Sequence, residues 1–147
     1  MGTQMKQLNQ PVTAVQYFNS VAALVKVAQL DTSGSRAAAQ VLLSAYNGSE
    51  WQLNVTDLCH LDQLNMFHAM TVIQGRASLM REPQEGIENG DDIFMDLWKR
   101  WERYNINNRH LRTCRECYGT GEVYANHDDE NDYTTKTCPY CGGKGYC

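Results

Sequence analysis

The sequence predicts a mainly α protein: a small four-helix domain over residues 1–105, followed by a cysteine-rich β-hairpin module over residues 106–147. Three observations carry this. Apolar residues recur at three- and four-residue steps through most of the first hundred positions. Five of the six cysteines fall after residue 113. Between the two regions Asn105-Ile-Asn-Asn-Arg109 is a polar linker where the apolar period stops. A chain of 147 residues has room for one domain with a small appendage, and 42% hydrophobic against 20% charged residues is enough for a modest core. The mean hydropathy of -0.54 keeps that core small.

The first helix runs from Thr13, a plausible N-cap, to Leu30, with Val15, Phe18, Ala22, Val25 and Ala28 as its apolar stripe. Asp31-Thr-Ser-Gly-Ser35 supplies a turn and a second cap. The Ala- and Leu-rich stretch Arg36 to Tyr46 is then the second helix, with Asn47-Gly48 as its stop. A third helix is expected to begin near Asn54 or Thr56. Leu58, Leu61, Leu64, Phe67 or His68, and Thr71 or Val72 form its buried side, and it fades between Gly75 and Met80. Arg81 to Gly90 reads as a surface loop. The carboxylates of Asp91 and Asp92 suit the start of a fourth helix, which should reach about Tyr104. There Phe94, Leu97, Trp98, Trp101 and Tyr104 share one face, opposite Asp96, Lys99, Arg100 and Arg103. A core face is the simplest reading; the other is an aromatic groove for a partner or for nucleic acid.

The longest apolar stretch, Val21 to Ala28, is broken by Lys26 and falls far short of the roughly 20 residues of a membrane span. The first ten residues are polar, without the basic, apolar and small-residue regions of an export signal. The expectation is a protein of the reducing cytoplasm, where disulfides are rare and the Asn-x-Ser/Thr matches at Asn47 and Asn54 carry no meaning. A net charge of -4 gives none of the broad positive field that non-specific nucleic-acid binding needs.

The cysteine region holds two copies of one pattern, CxxCxGxG: Cys114-Arg-Glu-Cys117-Tyr-Gly119-Thr-Gly121 and Cys138-Pro-Tyr-Cys141-Gly-Gly143-Lys-Gly145. Two residues between cysteines let both sulfurs of a tight turn face one ion, and the glycines allow positive φ and close backbone approach. The 20-residue gap fits a four-cysteine zinc ribbon or knuckle. Four thiolates suit one structural Zn2+, held by Cys114, Cys117, Cys138 and Cys141, with no open coordination position. An iron-sulfur cluster and a redox-active dithiol are the competing readings. About 34 residues with few aliphatic side chains cannot offset the entropy of ordering themselves, whereas structural zinc contributes on the order of 10 to 16 kcal/mol in finger peptides. Cys147 reads as a free exposed thiol, and Cys59 as a small buried one beside His60 and ahead of His68. His110 and His127 are spare donors, and Asp128 to Asp132 is a solvated loop able to meet a basic protein surface.

These repeats resemble the cysteine-rich zinc module of the DnaJ co-chaperones, whose CxxCxGxG units fold as short hairpins pinned by zinc. Two repeats imply one zinc where the co-chaperones carry four repeats and two. No His-Pro-Asp tripeptide is present, so the resemblance implies fold and metal, not chaperone activity. The two-repeat form also looks like the zinc insertion of lambda-type phage late antitermination proteins, although the flanking helices do not match. Residues 20–101 are similar to an uncharacterised family of short helical proteins found largely in phages, prophages and other mobile elements. The resemblance lies in ALVKVAQLDTSGSRAAAQVLLSAYN, TDLCHLD and LWKRW, with Ser33 where that family's turn has Gly and without its aromatic pair before Asn47.

Asp31-Thr-Ser-Gly is not the aspartic-protease motif: the order differs, one copy occurs and the flanks are helical. No phosphate loop, dinucleotide fingerprint, HExxH or nucleophile elbow is present. The expectation is therefore a non-enzymatic, zinc-binding protein-interaction protein of phage or mobile-element origin. Its partner would be a host protein or complex, for example a CRISPR complex that it inhibits. The runner-up is a nucleic-acid-binding regulator or antiterminator, motivated by Arg109, Arg112, Arg115, Lys136 and Lys144, though six acidic residues balance these five. A zinc-dependent holdase or thiol-exchange module is third. Oligomeric state is left open.

Overall fold

The computed structural model describes residues 10–147. The polar segment 1–9, read above for an export signal, lies outside the described residues. The chain divides into two compact units, Met1–Ile106 and Asn107–Cys147. The architecture is mainly helical, with a small two-stranded antiparallel sheet near the cysteines.

Helix α1 (Ala14–Ala28) opens on a capping box. Thr13 Oγ1 accepts from the Gln16 amide at 3.2 Å, and Gln16 Oε1 accepts from the Thr13 amide at 3.0 Å. Its buried face is Tyr17, Ser20, Val21, Leu24, Val25 and Ala28. Of the stripe expected from sequence, only Val25 and Ala28 are buried, and Val15 is 71% exposed. The helix is rotated because Tyr17 has the better site: its ring lies where a Cβ on Gly75 would come within 2.6 Å, and its hydroxyl donates to the Arg81 carbonyl at 2.9 Å.

Helix α2 (Ser33–Tyr46) starts earlier than expected, because Thr32 rather than a later residue caps it, accepting from the Ser35 amide at 3.0 Å. The Asp31-Thr-Ser-Gly tract is thus a capped interhelical turn. Ala37 to Ala39 and Val41 to Leu43 are all buried, so α2 is the central helix, packed on α1 and on the helices that follow. Asn47 ends it in extended geometry, its side-chain oxygen accepting from the amides of Ser49 and Glu50.

The single third helix of the sequence reading is two elements. Val55–His60 is a 3-10 helix capped by Asn54, and α3 (Gln63–Leu79) starts afresh with Asp62 accepting from the Asn65 amide at 2.7 Å. The restart changes which residues face inward. Leu58, Ala69, Thr71, Val72 and Gly75 are buried, whereas Leu64 and Phe67 point to solvent. The expected surface loop also contains structure: Pro83–Gly86 is a 3-10 turn, Pro83 is buried, and Arg81 pairs with Glu85 at 2.8 Å.

Helix α4 (Gly90–Arg100) has Asp91 and Asp92 in its first turn and Lys99 and Arg100 in its last, each sign at the pole that favours it. It is shorter than expected, since Glu102–Tyr104 forms a separate 3-10 turn. Its aromatic face is core. Phe94, Leu97 and Trp101 are buried, Trp101 Nε1 donates to the Ala28 carbonyl at 2.8 Å, and Trp98 meets Trp51 edge to face at 5.4 Å. One buried polar group ties the elements: Gln40 donates to Asp57 at 2.6 Å and accepts from the Asn54 amide at 3.0 Å.

In the second unit β1 (Glu122–Tyr124) pairs antiparallel with β2 (Thr135–Thr137), Val123 lying opposite Lys136. A separate bridge joins Thr113 to Tyr146. Among the described residues no helix is long and apolar enough to cross a membrane.

Candidate metal centre

The second unit has almost no aliphatic core. Cys114, Cys117, Cys138 and Cys141 are themselves its buried centre, with Val123 packed alongside. Their sulfurs all lie within 4.8 Å of one another. Cys114 Sγ is 3.9 Å from Cys138 Sγ, and Cys117 Sγ is 3.7 Å from Cys141 Sγ. A disulfide needs about 2.05 Å, so these contacts are not bonds. A tetrahedral ion with a metal–sulfur length of about 2.3 Å sets sulfur–sulfur edges of roughly 3.8 Å, the separation of these two pairs.

The geometry follows from the repeat. Positions offset by 24 residues play the same part on either side of an internal two-fold. The Gly121 amide donates to Cys117 Sγ at 3.3 Å, and the Gly145 amide to Cys141 Sγ at 3.2 Å. The Cys138 amide donates to the Gly121 carbonyl at 2.9 Å, and the Cys114 amide to the Gly145 carbonyl at 3.0 Å. Each repeat thereby anchors the first cysteine of the other. Gly121 and Gly145 must be glycine: both have φ above +80°, and a Cβ there would fall 2.4 and 2.5 Å from the carbonyl oxygens of Gly143 and Gly119.

The thiols polarise one another. Burial pushes the Cys117 thiol up, but the amides of Gly121 and Gly119 and the thiols of Cys141 and Cys114 outweigh it and bring the pKa down to about 7. The amides of Cys117 and Glu116 favour the Cys114 thiolate, yet burial and the thiols of Cys117 and Cys138 push it up to about 12. Four thiolates at this spacing need a cation. The donor set fits one: four sulfurs, already converged, with backbone amides aimed at Cys114, Cys117 and Cys141. Such an ion would be held by all four cysteines and would cross-link the two repeats.

The quartet expected from the sequence is thus brought together, and the other candidates are not. Cys147 is exposed, its backbone paired with Arg112 rather than its sulfur with the quartet. Cys59 is exposed as well, not the buried thiol expected, because it sits on the short 3-10 helix rather than within α3. His60, His110 and His127 are exposed, and half-buried His68 shares a 2.9 Å hydrogen bond with Ser20. Asp128 to Asn131 lie exposed between β1 and β2, and Asp132 is half-buried. The sequence reading missed Tyr118, whose backbone is left-handed at φ +53°. Its counterpart 24 positions on, Gly142, carries the only signal.

A family model matches residues 19–102, more than half of the chain. The chain belongs to DUF7673, a family of unknown function. The DUF7673 match opens within α1, takes in α2, α3 and α4, and ends before the cysteine quartet, which lies wholly outside it. No curated protein and no solved structure matches the chain.

Proposed function

We propose that this DUF7673 protein works by binding, not catalysis: a zinc-stabilised protein-interaction protein whose partner is a host protein or complex. The observation that carries the reading is the four-thiol centre. Four sulfurs converge there, so an ion held by all of them has its tetrahedral positions filled and none left for water or substrate. Zinc is the ion of choice for four converged thiolates in a small module, ahead of an iron-sulfur cluster. Six cysteines without a disulfide fit a reducing compartment such as the cytoplasm.

The resemblance of the helical domain to proteins of phages and mobile elements supports an origin there, and inhibition of a host defence complex is a concrete form of the role. The acidic balance supports a protein partner over nucleic acid. Elemental analysis of the purified chain should give one zinc per molecule, and a tagged chain should retain a defined host complex at fixed stoichiometry. An iron signal with visible absorbance would replace the zinc assignment. Retention of nucleic acid alone, lost steeply with salt, would replace the protein partner with the regulator reading.

A further inference from the structure

The cysteine module leaves four tyrosines outside. Tyr118, Tyr124, Tyr133 and Tyr140 are 86%, 52%, 76% and 70% exposed. Tyr118, Tyr124 and Tyr140 line one cavity of about 670 Å³ together with Val123, Pro139 and the carboxylate-bearing Glu116 and Glu122. Tyr124 also lines an adjoining cavity of about 290 Å³ with Tyr133, Asp129, Glu130 and Asp132. Across both, five carboxylates stand against one lysine, Lys136, and one histidine, His127.

The internal two-fold sets Tyr118 against a glycine in the second repeat. Its backbone position requires positive φ, +53° at Tyr118 and +63° at Gly142, its equivalent in the second repeat. Glycine meets that requirement freely; an L side chain avoids it. A Cβ on Gly142 would meet nothing within 4 Å, so the fold asks for no side chain at this position. Strained backbone combined with an unburied aromatic ring marks a binding residue more readily than a structural one.

We propose that this tyrosine-lined groove receives an arginine- or lysine-bearing segment of a partner protein. Tyrosine faces attract cations through the ring quadrupole, and the surrounding carboxylates supply the countercharge. The same carboxylates repel phosphates, which weighs against the alternative use of exposed aromatics, stacking of nucleic-acid bases. This rests on the binding role proposed above and specifies its surface and the chemistry of its partner.

The test uses the full chain with its metal and a fluorescein-labelled hexa-arginine peptide, followed by anisotropy at 150 mM salt. Hexaglutamate and a single-stranded 12-mer of deoxythymidine serve as the other probes. Hexa-arginine should bind. Tyr118→Gly, the residue already used at position 142, should weaken binding at least tenfold while metal content and the melting temperature are kept or raised. Tyr118→Phe, which retains the ring, should stay within about threefold of the parent. Equal binding by the parent and by both Tyr118→Gly and Tyr140→Ala would overturn the groove, leaving only non-specific attraction to carboxylates. Binding of the deoxythymidine probe in preference to hexa-arginine would overturn the cationic partner. Pull-down separates the two claims: a host complex retained equally by parent and Tyr118→Gly defeats the groove and spares the binding role. Peptide binding that depends on Tyr118 with no complex retained does the reverse.

Discussion

Tyr17 is the residue on which the helical unit turns. It is fully buried, and burial, with help from Glu82 and Glu85 and against Arg76 and Arg81, raises its pKa from 10.0 to about 12. A phenol whose pKa is higher in the folded state than in the unfolded one stabilises the fold in full below pH 10, and that contribution is lost as pH rises from 10 through about 12. A rise of that size corresponds to a ceiling of about 3 kcal/mol. Urea unfolding followed at pH 8 and pH 11 should show a loss of about 1.4 kcal/mol in the parent, half of that ceiling, and a much smaller one in Tyr17→Phe. That variant should lose about 1 kcal/mol at pH 8 with the hydrogen bond to Arg81. In the cysteine module the corresponding residue is Gly121. Gly121→Ala would place a methyl 2.4 Å from the Gly143 oxygen at φ +81°, so the module should fail to hold its metal stoichiometrically while the far-UV helical signal persists.

Elements explain what was legible beforehand. Helix starts with a side-chain cap were visible, since Thr13 and the Asp31–Ser35 turn announce α1 and α2 by local chemistry alone. The convergence of the four cysteines was visible for the same reason: CxxCxGxG fixes its own turn geometry, and the two copies pair. What local chemistry could not give was rotation and interruption. Stripes through Val15 and Phe18 or through Tyr17 and Val21 both obey the helical period, and only the fit of Tyr17 against Gly75 chooses between them. Asn54 and Asp62 are both good caps, and reading one helix where each residue starts its own element put Leu64 and Phe67 inside. Asp62→Ala should therefore cost about 1 kcal/mol in thermal or urea unfolding, as for any lost N-cap. A continuous helix through Asp62 would instead predict almost no change there. Tyr118 was hidden for a different reason: a residue kept outside the core leaves no periodic trace.

At the scale of the whole molecule two units hold together by different physics. The first has a hydrocarbon core of about the usual kind, built from Tyr17, Leu24, Leu42, Leu43, Trp51, Phe94 and their neighbours. The second has four cysteines and Val123 in its place. Burial of so little apolar surface cannot offset the ordering entropy of the residues from Asn107 to Cys147, so an ion held by the four cysteines would have to supply the difference. Removal of the metal should therefore act on one unit and spare the other. Treatment with a strong zinc chelator under reducing conditions should erase amide protection from hydrogen exchange after residue 107, while the helices keep theirs and melt at an unchanged temperature. Cys138→Ser, which alters a fully buried member of the quartet, should reproduce the chelated state without chelator. Retained protection at Gly121 and Gly145 in the metal-free protein would mean instead that the paired repeats hold each other through backbone hydrogen bonds alone. The two-fold would then be the cause of the site rather than its consequence.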